Sequence, residues 1–345
     1  MSQKSKMSNA EVFTSAEELI SKRNLLREQA WDKRTNRFTD KEVKQKIINQ
    51  FDLLRDNWDY VMAYTYFDLL QKQTREVNRV FAENSPFISG VQALTNVTID
   101  STIKSWYDDV FAIYESLALD FAYNQAFLLL PDELKADDNT MFTQAEQDDI
   151  VRARRRKPRK EIIEDGFYPR RKRGQAIPIN RTKYNRKAKA FIEARLNEVL
   201  PEMSNTMKKN LNTALRKGYD EVIKKGLTGA EAERYMRNAI KDSIGKKNLG
   251  RAMNIARTET TNLSNWAQTE SATQTGLQLK KEWITLRDGK VRDAHYVMDG
   301  KSVPQNEYFN VRGYKMFFCG DSSKGAPAGL VCNCRCSLIY HEVRI

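Results

Sequence analysis

Apolar residues recur at three- and four-residue steps through most of this chain. Phe51, Leu54, Trp58, Val61, Thr65 and Leu69 fall on one helical stripe, and Trp106, Val110, Ile113, Leu117 and Phe121 on another. This is the spacing of helices that pack one face inward. Asn84, Ser85 and Pro86, then Ser89 and Gly90, break the pattern between them. Trp58, Tyr60, Tyr64, Tyr66 and Phe67 crowd the first stripe, and read either as a partner-docking surface or as a helical core with polar tyrosine tips. Helical periodicity returns from about Lys187. Leu211, Leu215, Tyr219 and Val222 share a face, and Thr228-Gly-Ala-Glu231 has the form of a capping box. Tyr235, Met236, Ala239 and Ile240 then face inward before Gly245, and a further helix is expected over 249–275, with Ile255, Leu263 and Trp266 apolar and Gly276 at its end. Only then does the period change. Residues 277–286 are the best strand candidate, Asp288 and Gly289 supply a turn, and short strands lead to 337–340. The pattern predicts an α+β fold dominated by helix, with a helical N-terminal domain over 1–150 and a C-terminal domain over 190–345, helical to 276 and a small β and loop part beyond.

Charge adds a third segment. Residues 1–150 carry 17 Lys and Arg against 25 Asp and Glu, residues 151–189 carry 16 against 3, and residues 190–345 carry 25 against 17. The excess of the middle segment equals the +13 of the whole chain. With Gly166, Pro169, Gly174 and Pro178 in it and few apolar residues, 151–189 reads as a linker or arm. Its cations Arg152, Arg154, Arg155, Arg156, Lys157, Arg159 and Lys160, with Arg170, Arg171, Lys172 and Arg173, are the candidate nucleic-acid contacts. A polycation of this kind binds double-stranded DNA by releasing condensed counterions, without regard to sequence. Phe167, Tyr168 and Tyr184 are its residues able to stack on bases. A fold-back onto the acidic stretch 132–149, a localisation-type basic tract and a solvated surface run remain open beside that reading.

Length and hydropathy narrow the class further. A chain of 345 residues can bury more than one core. The most apolar stretch, 117–130, is interrupted by Asp120, Asn124 and Gln125, so no membrane span is expected. The polar start has no apolar segment of a secretory signal, and synthesis in a cytoplasm is expected.

The candidate chemistry lies near the end. His295 and His341 are the two histidines, and Cys319, Cys332, Cys334 and Cys336 are the four cysteines. Zinc is the first cofactor to test, with a subset of Cys319, Cys332, Cys334, Cys336 and His295 as ligands. Structural zinc sites usually take two sulfurs from a Cys-x-x-Cys turn, whereas the spacing here is Cys-x-Cys-x-Cys. On an extended strand alternate residues stand about 6.5–7 Å apart, yet two sulfurs on one tetrahedral zinc lie within about 4 Å. Three alternate cysteines therefore cannot all ligate one ion without a sharp bend, although one or two could, with Cys319 and a histidine. Buried thiols and a disulfide from Cys319 are the competing states, and sequence leaves all three open. A metal-dependent nuclease would have to use His295 with Asp288, Asp293 and Asp299, which read equally as turn residues. The Arg257-Thr-Glu259 step reads as a packing feature of a helix. No enzyme is expected.

In order, the chain presents Ala256-Arg-Thr-Glu259, Trp283-x-Thr285, Asp288 with Arg292 and His295, Asp299-Gly300, Phe309, Pro327 and Asn333-Cys-Arg-Cys336. Over about 190–345 this order resembles the C-terminal domain of the minor head proteins (head-morphogenesis, MuF-like family) of tailed bacteriophages. The resemblance implies an internal virion component, few per particle, inside the head, with the portal or major capsid protein and packaged DNA as partners. It would serve head assembly or DNA delivery. It makes His295, Cys334 and Cys336 structural signature positions, and Cys332 is an extra cysteine relative to that pattern. A metal-dependent nuclease or toxin-like enzyme centred on His295 and the cysteines, and a plain non-specific DNA-binding protein, are the alternatives. With nine residues after Cys336, no C-terminal effector is expected.

Overall fold

The computed structural model describes residues 41–87, 90–129, 180–245, 248–286 and 288–343. The acidic stretch 132–149 and all eleven candidate DNA contacts from 152 to 173 lie outside the described residues. The helices are α1 (Lys41–Glu83), α2 (Val91–Lys104), α3 (Tyr107–Leu128), α4 (Arg181–Lys224), α5 (Gly229–Gly245) and α6 (Asn248–Gln274). After them come β1 (Leu279–Ile284), a one-turn α7 (Asp293–Tyr296), β2 (Ser302–Pro304), β3 (Phe309–Val311), β4 (Tyr314–Met316), a one-turn α8 (Ala328–Val331) and β5 (Ser337–Glu342). The class is the expected one, α+β with helix dominant. No described helix is long and apolar enough to cross a membrane.

The described residues fall into two compact units. One is Val61–Ser116 with Arg181–Ala256, and the other is formed by the described residues within Met1–Tyr60, Leu117–Asn180 and Arg257–Ile345. Each draws on sequence before and after the 151–189 segment, a partition that differs from sequential domains over 1–150 and 190–345. Helix α1, of 43 residues, is shared between them, its first part in one unit and its remainder in the other.

In the first unit, Val77 and Phe81 of α1, Ile99 of α2, Met207, Leu211 and Leu215 of α4, and Met236 and Ile240 of α5 close one apolar core. Polar anchors fix the helices around it. Asp100 accepts from Ser204 at 2.5 Å and from Lys208 at 2.7 Å, and the Tyr219 hydroxyl donates to the Pro86 carbonyl at 2.5 Å. Gly218 marks the closest approach of α4 and α5, since a Cβ there would stand 2.6 Å from the Met236 sulfur. Helix α4 starts at Arg181, so 181–189 are helical and not part of an arm. Tyr184, Ala188, Ile192 and Leu196 recur every fourth residue and are buried, which removes Tyr184 from any stacking on bases. Arg181, Lys183, Arg186, Lys187 and Lys189 stay exposed on the opposite face.

In the second unit, Phe51 of α1 stacks on Phe121 of α3 with ring centroids 6.0 Å apart, and the Trp58 indole donates to Asp120 at 2.9 Å. Trp58 and Tyr60 here, and Tyr64, Tyr66 and Phe67 in the first unit, are all buried, so the aromatic crowding is core and not a docking surface. A three-stranded antiparallel sheet runs β2-β1-β5, with Lys281 opposite Val303 and Tyr340 and Trp283 opposite Leu338. Strands β3 and β4 form a separate hairpin. β1 is shorter than the 277–286 read from sequence.

Lys281 is fully buried in the central strand. Its Nζ donates to the Phe317 carbonyl at 2.7 Å and lies 3.4 Å from the Phe317 ring centroid. Burial lowers its pKa from 10.5 to about 7. Between these values the unfolded chain binds a proton that the folded chain does not, so this group's contribution to stability rises with pH. Urea unfolding should therefore show stability climbing more steeply from about pH 7 to 10 in the native chain than in Lys281→Met. Parallel profiles would contradict the burial argument.

Candidate metal centre

Buried positions of α6 are largely polar. Thr260, Thr261, Asn262, Ser264, Asn265, Gln268, Thr269 and Ser271 are all buried, with Ser271 Oγ donating to the Ala122 carbonyl of α3 at 2.8 Å and others turned to the β part. Of the apolar positions expected to lead the packing, Leu263 is buried while Ile255 and Trp266 are half-buried. The reason is what the helix meets, which is loop backbone whose carbonyls need donors. Thr261 Oγ1 donates to the Cys334 carbonyl at 2.5 Å, Asn265 Nδ2 to the Cys336 carbonyl at 3.0 Å, and Asn262 Nδ2 to the Gly320 carbonyl at 2.8 Å. Arg257 donates to Asn333 Oδ1 at 2.5 Å, and the Asn333 amide donates to Thr258 Oγ1 at 2.8 Å. Tyr340 closes the row by donating to Thr269 at 2.7 Å.

Further contacts hold the same loop. Arg55 of α1 donates to the Arg335 carbonyl at 3.1 Å and to Ser337 Oγ at 2.7 Å. Arg335 makes a two-pronged ion pair with Asp288, and Arg292 donates to the Cys332 carbonyl. Asp299 Oδ1 accepts from the amide and hydroxyl of Thr285 at 2.7 and 2.8 Å, fixing the turn that carries α7 and His295.

These bonds bring three chemical groups together. Asn333 takes a left-handed backbone conformation with φ 55°, and 334–336 are irregular, with β5 beginning only at Ser337. This is the sharp bend that an extended Cys-x-Cys lacks. His295 Nδ1 lies 3.5 Å from Cys334 Sγ and 3.4 Å from Cys336 Sγ, and the Cys336 amide points at Cys334 Sγ at 3.4 Å. All three side chains are buried, and their ligand atoms lie within 4.8 Å of one another. Trp283 packs edge-on to His295 at 5.4 Å, and His295 Nε2 has no hydrogen-bond partner among the described residues. The hydrogen bond from Cys336, with His295 adding to it, holds the Cys334 thiol well below its ordinary pKa, while burial pushes Cys336 up. The pair is arranged to share negative charge beside an imidazole. Such a group can take a soft divalent cation, or hold a thiolate against His295.

Of the five sequence candidates, His295, Cys334 and Cys336 come together. Cys332 is exposed and stands outside the group. Cys319 is buried with its thiol raised by burial, and donates to the Ser337 carbonyl at 3.5 Å. The acids weighed as nuclease ligands are placed elsewhere. Asp288 pairs with Arg335, Asp299 holds Thr285, and Asp293 is exposed at the start of α7. His341 pairs with Glu282 at 2.6 Å. Sequence reasoning gave no site role to Arg55, Thr261, Asn262 or Asn265. The available signal was the near absence of apolar residues from the Arg257–Ser271 stretch of a helix, a composition that fits burial only against polar partners.

Replacing Asn265 by Leu leaves the buried Cys336 carbonyl without its donor, which should lower stability by about 1–3 kcal/mol. Thr273→Val, at an exposed position of the same helix, should change it by under about 0.5 kcal/mol. Equal effects in chemical denaturation would show that the polar face does not hold the loop.

The NAD(+)–arginine ADP-ribosyltransferase EFV of Enterococcus faecalis (strain ATCC 700802 / V583) is 35% identical over 95 residues, which is 26% of this chain and 18% of that protein. The chain thus spans less than a fifth of that relative's length. No solved structure matches. Residues 213–339, which include α5, α6, the sheet and the His295 cluster, match the family described as Phage Mu protein F like protein, and over this segment the chain carries the MuF-like pattern.

Proposed function

We propose that this protein is a minor head component of a tailed bacteriophage, made in the host cytoplasm and enclosed in the head. The observation that carries this reading is the family match over 213–339. In it, the folded parts hold portal or major capsid protein while the segment around 152–173 neutralises packaged DNA. Two features support that division of labour. The exposed cations Arg181 to Lys189 at the start of α4 directly follow the polycationic stretch. Tyr296, Val297, Tyr308 and Tyr314 stand exposed in the β part, and such residues are favoured where protein partners dock. The DNA contact is sequence-blind, and the protein contact is not electrostatic.

The test uses the full chain and a variant lacking 152–173. With six to ten phosphates engaged, affinity for duplex should fall by about 10³–10⁵-fold between about 50 and 200 mM salt. The deletion should lower it sharply, leaving at most the weak contribution of the cations at the start of α4. Co-expressed portal or major capsid protein should stay bound to both forms in high salt. Undiminished DNA affinity in the deletion, or loss of every capsid partner at high salt, would contradict the proposal, the second result leaving a plain DNA-binding protein. A toxin-associated reading has one observation in its favour, the 35% identity to the ADP-ribosyltransferase relative. Consumption of NAD by the purified chain with an arginine acceptor would establish it in place of the head-protein reading.

A further inference from the structure

We propose that His295 Nδ1, Cys334 Sγ and Cys336 Sγ bind one zinc-class divalent cation, with an exchangeable fourth ligand in the cavity beside them.

The two nitrogen–sulfur distances are those of a metal site. Zinc bonds of about 2.3 Å to sulfur and 2.0–2.1 Å to nitrogen, in tetrahedral array, place nitrogen and sulfur about 3.5 Å apart. Here the two separations are 3.5 and 3.4 Å. Hydrogen bonding alone accounts poorly for this convergence. A ring nitrogen offers one proton or one lone pair, yet two thiols face His295 Nδ1. A single cation satisfies all three atoms at once. On binding, Cys334 and Cys336 each release a proton to solvent, and His295 donates the Nδ1 lone pair with its proton on Nε2. The result is one dication with two thiolates, a group of zero net charge, and so affordable in a buried place. The amide of Cys336, 3.4 Å from Cys334 Sγ, adds an N–H···S contact to one ligand.

The second layer is already built. The Cys334 and Cys336 carbonyls are held by Thr261 and Asn265, and the chain between the two cysteines is held by Arg55 and by the Arg335–Asp288 pair. Three protein ligands leave one position of a tetrahedron. A cavity of about 20 Å³ adjoins the cluster, lined by Lys290, Arg292, His295, Cys334, Arg335 and Cys336, room for one water-sized ligand. Its basic rim favours an anion or a thiolate there over a second cation. Cys319 does not complete the set, because its thiol is engaged with the Ser337 carbonyl.

Elemental analysis of the full chain, purified without chelator, should find about one zinc per molecule. His295→Asn and Cys336→Ser should bring it to background, while Cys332→Ser keeps it. Asn265→Ala, acting through the Cys336 carbonyl, should weaken zinc affinity about 10–100-fold. Cobalt substitution should give a tetrahedral ligand-field spectrum with thiolate charge-transfer intensity, shifted by added azide or a small thiol. Because the ligand variants could fail to fold, alkylation of the native chain supplies an independent reading. Cys332 should label at once, and Cys334 and Cys336 only after a chelator is added. Four results would overturn the proposal: a metal-free chain that zinc does not protect from alkylation, a Cys334–Cys336 disulfide in the native protein, retention of zinc by His295→Asn, or its loss in Cys332→Ser. A cobalt spectrum indifferent to added ligands would overturn the exchangeable fourth position.

Discussion

A row of side-chain donors on one helix, set against the carbonyls of an irregular loop, is the interaction on which the C-terminal part of this protein depends. Helix α6 offers Arg257, Thr261, Asn262 and Asn265 to Asn333, Cys334, Gly320 and Cys336. A loop of this kind cannot form a ladder, and its buried carbonyls would each cost about 1–3 kcal/mol if left without donors. The helix supplies at fixed spacing what a neighbouring strand would otherwise supply. That arrangement explains why the Arg-Thr-Glu helix and the Asn-Cys-Arg-Cys loop belong together, although 73 residues separate Thr261 from its carbonyl partner.

The same constraint sets the chemistry. Once the Cys334 and Cys336 carbonyls are fixed to α6, the left-handed Asn333 turns the chain so that both sulfurs face His295. His295 is fixed in turn by a one-turn helix that follows the Asp288 turn, with the Asp299–Thr285 bonds beyond it. Arg55 ties α1 to the same loop from far along the sequence. Gly320 belongs to this frame as well. Its φ of +89° is a backbone conformation that L side chains rarely adopt, and a Cβ there would already stand in contact with the α6 backbone at Asn262, 3.4 Å away.

Much of this was legible in the sequence, and the failures have physical causes. Helical periodicity located α1, α3, α4 and α5 because their inner faces are apolar. The same reasoning gave α6 its boundaries and missed its role, since a buried face of Thr, Asn and Ser has no hydrophobic signature. The strand argument against alternate cysteines sharing an ion held for extended backbone, and the backbone is bent at Asn333 instead. Asn is the residue of a Cys-Asn-Cys run that best tolerates a left-handed conformation, and the contacts with Arg257 and Thr258 that hold Asn333 there are long-range. Charge counting marked 151–189 as one basic segment, yet Tyr184 and Ala188 anchor its last residues in α4. Composition registers the cations and is blind to two buried positions among them.

The central claim, that α6 and the closing loop are a single cooperative unit, is tested most directly by native-state hydrogen exchange. The amides of Asn333 and Cys336 and those of α6 from 258 to 269 should open with the same free energy and the same denaturant dependence. If the loop amides exchange through small local fluctuations while α6 stays protected to global unfolding, the helix does not hold the loop and the account fails.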